Sequence, residues 1–269
     1  VFNPKKKYLV ARTVGGLGNR LAALLSCHAL ALDEDREFWV NWPLVRGGPH
    51  DRFPTAIDQL YRLNGVQPIS VTRYFAAEGH PASLNFPLSS AHNQVRLGLS
   101  APVLVFPIHG RLKIGEDGRW EAWRKLFWRE YQLHPAIQEE LQQFRQKHFD
   151  KMDEVIGLQV RAHGHQLARK WNAPKRFLEA VGGLIAKNPK QRFFLSSDDT
   201  KVTRAFLQAF GDRVVAQSKK NELNTDRALK QTIIDLHMLA ICGKFLSTPH
   251  SGLPYFVSIM RGEGPVYPS

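Results

Sequence analysis

Tyr8-Leu9-Val10-Ala11-Arg12-Thr13-Val14-Gly15-Gly16-Leu17-Gly18-Asn19 is the stretch from which the fold can be read. Residues 8–12 are a short apolar run, the glycines stop it, and small and apolar residues continue from Leu21 to Leu32. That order predicts strand, glycine turn and helix. The acidic patch Asp33-Glu34-Asp35 ends the helix, and Phe38-Trp39-Val40-Asn41-Trp42, closed by Pro43, predicts a second strand. Strand, helix and strand make a βαβ unit, the seed of a parallel sheet.

Outward from this unit the pattern weakens between residues 44 and 110, where loops are expected with short strands at Pro68–Val71 and Val103–Ile108. Residues 119–148 turn helical: Trp120, Trp123, Phe127 and Trp128 lie at helical spacing, and Ile137, Leu141 and Phe144 line one side of a helix that begins after Pro135. From Glu154 the βα rhythm returns. Strands are expected at Val155–Val160, Arg192–Ser196, Val214–Val215 and Lys244–Thr248, with helices at Pro174–Lys187, Thr200–Phe210, Ala228–Cys242 and from near Ser251. The expectation is an α/β chain with an N-terminal lobe at 1–130, a helical connector at 131–153 and a C-terminal lobe at 154–269. Two such lobes leave a cleft between them, a common place for a ligand.

At 269 residues the chain is long enough for a substantial core, and no apolar run approaches the ~18–20 residues a membrane span needs. Lysine and arginine number 37 against 24 acids, a net charge of +13, so the surface field attracts anions. Nucleotides, acidic glycans, nucleic acid and an anionic membrane face all answer to that field. Cys27 and Cys242 each lie in an apolar helical pattern, which predicts buried thiols and leans towards a reducing compartment, cytoplasmic or at the inner face of a membrane.

Four segments carry chemistry. In the first, Gly16, Gly18, Asn19 and Arg20 stand where a strand meets a helix N-terminus, whose N–H groups and dipole can hold an anion. The segment lacks a Walker lysine, and a plain βα turn fits its glycines equally well. In the second, the strand Ile156-Gly157-Leu158-Gln159-Val160 delivers Arg161 to its C-terminal end, the edge of an open α/β sheet where ligands bind. An arginine there suits a diphosphate by charge and by bidentate hydrogen bonding. His163 and His165 follow without a carboxylate or cysteine at zinc-like spacing, so no metal is expected and His163 is read as a donor to phosphate or sugar. In the third, Phe193-Phe194-Leu195-Ser196-Ser197 ends in Asp198 and Asp199; Asp199 is placed as a helix cap and Asp198 as the better ligand. In the fourth, a helix carrying Asp235 leads to Ser247, Thr248, His250 and Ser251, a hydroxyl-rich turn for an anion. An acid inside an apolar helix needs a partner, so Asp235 is either a structural tie or a ligand contact.

Taken in order, these segments resemble the GT-B fucosyltransferase superfamily, and among its members the bacterial nodulation α-1,6-fucosyltransferases and the animal core-fucosylating enzymes. Arg12 to Asn19 is similar to that family's opening glycine turn. Val155 to Gly164 resembles its first donor motif, Leu195 to Asp199 its second, and Ile234 to Ser251 its third. Gln159 stands where the family usually has histidine, and Ala162 where a second basic residue is common. The resemblance implies two Rossmann-like lobes facing a cleft. It also implies inverting, metal-independent transfer of fucose from GDP-fucose to a glycan hydroxyl, with no bound cofactor and with Arg161 on the diphosphate. By chemistry alone the acceptor's base could be Glu116, Asp117, Asp33 or Glu34.

Two other classes stand beside this reading. A silent glycan- or nucleotide-binding protein of the same fold could stack sugars on Trp39, Trp42, Trp120 and Trp123, although aromatics at such positions are more often core. Nucleic-acid binding rests on charge alone, without a helix-turn-helix, zinc-finger, RNP or KH signature, so no specific nucleic acid is expected. The basic charge fits an acidic glycan acceptor and peripheral contact with an anionic membrane equally well.

Overall fold

The computed structural model describes residues 2–44, 55–86, 100–112, 119–162, 171, 173–218, 225–249, 251–264 and 266–268. The chain divides into two compact units, Val1–His134 and Pro135–Ser269.

In the first unit, β1 (Tyr8–Val14) lies between β2 (Glu37–Asn41) and β6 (Val103–His109) and is parallel to both. Strand β4 (Val66–Pro68) extends the sheet beside β2 and β5 (Ser83–Asn85) beside β6, giving the all-parallel order β4-β2-β1-β6-β5. A central strand covered on both faces can be apolar throughout, which is why Tyr8 to Val14 reads as a nearly unbroken hydrophobic run. Helix α1 (Leu17–Asp33) follows with Gly16 as its N-cap and is buried along most of its length. It packs on β1, β2 and β6 on one side and on α3 (Trp120–Glu130) on the other. A helix covered on two sides carries apolar residues nearly all round.

Helix α2 (Val71–Glu78) covers the opposite face, capped by the Ser70 hydroxyl, which accepts from the Arg73 amide. Its Tyr74 and Ala77 join Tyr8, Val10, Trp39, Ile69, Val103 and Val105 in one core. The strand expected at Pro68–Val71 is thus corrected: pairing stops at Pro68, and Val71 opens a helix because the Ser70 cap intervenes. A small antiparallel pair, β3 (Tyr61–Leu63) with β7 (Tyr131–Leu133), completes the unit. Trp39, Trp42 and Trp123 are core residues.

The second unit has the parallel order β10-β9-β8-β11, formed by β8 (Val155–Val160), β9 (Arg192–Ser197), β10 (Val214–Ala216) and β11 (Lys244–Ser247). Among the described residues its α-helices are α4 (Pro135–His148), α5 (Ala173–Lys187), α6 (Thr200–Phe210), α7 (Asp226–Ile241) and α8 (Gly252–Arg261). Residues 131–153, expected to connect two lobes, hold β7, which pairs with β3, and α4, which packs on α7. Gly157 lets α7 approach β8 closely, since a β-carbon there would stand 3.0 Å from Leu239 and 3.2 Å from the Cys242 sulfur. Both cysteines are free thiols in the core. Burial pushes Cys242 up to about 12 and Cys27 further still.

Candidate functional site

In the second unit β8, β9 and β11 end nearly level, with Val160 beside Ser197 and Gln159 beside Ser247. Arg161, Asp198 and Thr248 therefore leave the sheet together at its C-terminal edge. The Arg161 amide donates to Thr248 Oγ1 (3.0 Å), and that hydroxyl donates in turn to the Gln159 carbonyl (3.1 Å). Asp198 Oδ1 accepts from the Ala162 amide (2.8 Å), while its other oxygen lies 4.0 Å from Arg161 Nε. Arg161 Nη1 donates to Ser251 Oγ (3.2 Å).

Ser251 is the N-cap residue of α8, yet its side chain makes no capping bond to the helix. The first N–H groups of a helix lack intrahelical acceptors and carry the positive end of its dipole. Arg161 is thus held against a helix N-terminus, a combination suited to an anion. The neighbouring start of α6 is closed by Asp199, which accepts from the Lys201 amide (2.7 Å), so this acid acts as a cap.

Asp235 and Ser247, both proposed from sequence, have their side chains or amides engaged within the fold. Asp235 is fully buried in α7, where its carboxylate accepts from the Ser196 hydroxyl (2.5 Å) and the Gln217 amide. Of its two readings, the structural tie is the one the Ser196 and Gln217 contacts support. Ser247 is also buried; its amide donates to the Val266 carbonyl (2.8 Å) and fastens the C-terminal segment. The next residue, Thr248, holds the arginine. His163, His165 and His250 lie outside the described residues.

A further cluster occupies the C-terminal edge of the first sheet. Gly15 has φ +90°, and a β-carbon there would fall 2.4 Å from the His109 ring, so only glycine lets β1 turn beneath that imidazole. Asn19, in the first turn of α1, lies with Nδ2 3.1 Å from His109 Nε2. His109 stands 90 residues away in sequence, and nothing in the local pattern marks it. Gly16 caps α1, and Gly18 is buried in its first turn. Arg20 is fully buried and donates to the carbonyls of Gly15 (2.8 Å) and Pro43 (2.7 Å), with its guanidinium over the Trp42 ring. It fixes the turn from within.

Asp33 and Glu34 lie at the far end of α1, about 25 Å along a 17-residue helix from the glycine turn. Asp33 pairs there with Arg119 at 2.5 Å. Glu116 and Asp117 lie outside the described residues. Among the described residues no three His, Cys, Asp or Glu side chains form a group that could hold a metal ion, and no helix is long and apolar enough to cross a membrane.

No family model matches the chain, and no curated protein sequence matches it. Solved structures do. A NodZ α-1,6-fucosyltransferase crystal soaked with GDP-fucose aligns over 95% of this chain and 93% of its own, at 21% identity and a TM-score of 0.68. A structure of NodZ from Bradyrhizobium gives 0.65 at 21% identity, covering 94% and 92%. Arabidopsis thaliana FUT1 in complex with GDP aligns at 12% identity over 99% of this chain and 71% of its own, TM-score 0.66. POFUT1 with GDP-fucose aligns over the whole of both chains at 12% identity, TM-score 0.62. The α/β fold with parallel sheets that the resemblance implied is found, and the chain shares it with these solved fucosyltransferase structures.

Proposed function

We propose that this chain is an inverting, metal-independent glycosyltransferase that moves fucose from GDP-fucose to a glycan hydroxyl. The nucleotide sugar is assigned to the second unit and the acceptor to the first. One observation carries the assignment: Arg161, fixed by Thr248 and Ser251 at the edge where three strands end, stands beside a helix N-terminus that its N-cap side chain leaves open. The structures that share the fold include complexes with GDP and with GDP-fucose, which supports a guanine nucleotide at this edge.

In the proposed reaction the acceptor oxygen attacks the anomeric carbon on the face opposite the diphosphate. The bond from that carbon to the diphosphate oxygen breaks, and its electron pair leaves with GDP. Charge grows on the leaving phosphate, and fixed donors aimed at growing charge lower the barrier. Arg161 and the amides opening α8 supply those donors, so the step as drawn calls on no metal. Asp198 holds the Ala162 amide and sets the path of the chain just past Arg161. The acceptor's proton passes to a base. The candidates read from sequence for that base are Glu116, Asp117, Asp33 and Glu34.

The test is incubation with GDP-fucose labelled in the sugar, in the presence of a panel of oligosaccharides. Label in a saccharide product with matching release of GDP is expected. Nucleotide binding without turnover of any kind would reassign the chain to a silent binding protein of the same fold.

A further inference from the structure

The acceptor-side unit contains an arginine whose buried Nε has no acceptor among the described residues. Arg12 lies in β1 beside Asn41 of β2 and Pro107 of β6 in the sheet register, on the face covered by α2. Its guanidinium sits 5.6 Å from the centre of the Tyr74 ring and 5.4 Å from that of Phe75. Neither ring supplies a hydrogen-bond acceptor to that Nε. Beside it Asn41, only 4% exposed, donates through Nδ2 to the Ile69 carbonyl (3.1 Å) and leaves its buried Oδ1 unpaired among the described residues. Glu78, the acid on α2, lies at 3.5 Å from the Tyr74 hydroxyl. Arg73 adds another cation on this face, 4.7 Å above the Trp39 ring, and the Phe75 side is open to solvent at 51% exposure.

Cation–π contact offers about 0.5–2 kcal/mol, whereas a buried polar group without a partner costs about 1–3 kcal/mol. Stacking alone therefore does not explain an arginine with a buried donor unmet. A planar guanidinium is matched by a carboxylate or a sulfate, and the neighbouring unpaired oxygen of Asn41 calls for a hydroxyl donor. An acidic sugar carries both groups on one ring. We infer that Arg12 and Asn41 form a subsite for an anionic monosaccharide of the acceptor, with the exposed Phe75 ring flanking it. This rests on the glycosyltransferase reading for the word acceptor; the anionic-saccharide site itself stands on the geometry of β1, β2 and α2.

The experiment is calorimetric titration of the full chain, at fixed ionic strength, with tetrasaccharides of hyaluronan (carboxylate), keratan sulfate (sulfate ester) and chitin (neutral). Wild type, Arg12→Gln, Arg12→Lys and a surface control, Lys187→Gln, are compared, with thermal melting to confirm folding and GDP titrated in parallel. Wild type is expected to bind an anionic tetrasaccharide and not chitin, and the one that binds names the anion. Arg12→Gln should weaken that binding about ten- to a hundredfold, the range for a lost charge-assisted contact, with Arg12→Lys between and Lys187→Gln unchanged. Equal binding by wild type and Arg12→Gln overturns the inference. So does equal weakening by Arg12→Gln and Lys187→Gln, or failure of wild type to prefer an anionic saccharide. Absence of GDP binding by wild type with Arg12-dependent saccharide binding intact would sink the glycosyltransferase reading and keep the subsite.

Discussion

Lowering the pH should cost the first unit stability through one buried histidine. His28 in α1 stacks on Phe38, and its Nδ1 lies 3.1 Å from the Tyr131 hydroxyl. Burial pushes its imidazole down to about 4, with Arg129 acting in the same direction and Glu130 against it. The unfolded chain titrates near ~6.5, so below that pH the unfolded state takes up a proton that the folded state refuses. The neutral-form advantage is complete above ~6.5 and is lost as pH falls towards the folded value. At pH ~5 the unfolded form is favoured by roughly 2 kcal/mol relative to pH ~8 from this group alone. Urea unfolding followed by tryptophan fluorescence reads the right unit, because five of the six tryptophans, Trp39, Trp42, Trp120, Trp123 and Trp128, lie within it. In His28→Gln the stability difference between pH ~8 and pH ~5 should shrink by about 2 kcal/mol, while carboxylate contributions cancel in the comparison. An unchanged difference would refute the claim that His28 is held neutral by burial.

Gly15→Ala should lower the melting temperature and loosen Asn19 from His109, at a cost of about 1–3 kcal/mol for strain at positive φ, checked by thermal melting. Cys27 and Cys242 should react with a thiol reagent only on unfolding, since burial raises both, and rapid titration of the native protein would contradict this. Thr248→Val removes the hydroxyl that joins Arg161 to Gln159 with little change of shape. It is expected to weaken GDP binding about tenfold or less with a stability loss of about 1 kcal/mol, measured by calorimetry and melting.

What the sequence reveals follows the physics of burial. Parallel strands covered on both faces are mostly apolar, so β1, β8 and β9 announce themselves, and helices between them follow. Strand tips are then legible too, which is how Arg161 and Asp198 enter the candidate site, while Ser251 is read from the start of the next helix. Buried polar residues are harder, because a tie and a ligand contact call for the same side chains. Arg20 reads as a ligand candidate and Asp235 as a tie or a ligand, and both are buried with hydrogen bonds inside the fold, Arg20 to the turn and Asp235 to Ser196. That Thr248 rather than Ser247 accepts from the Arg161 amide depends on how the chain leaves β11, which composition does not encode. Strands of three residues such as β5 owe their existence to the neighbour they pair with. The Asn19–His109 contact joins two strand ends that local spacing leaves unrelated.

Calorimetric titration of GDP into wild type and Arg161→Ala tests Arg161 as the proposed diphosphate-binding residue most directly. Selective GDP binding by wild type over UDP, weakened about ten- to a hundredfold in a variant that melts normally, is the predicted result. Equal GDP affinity in the two proteins would contradict it.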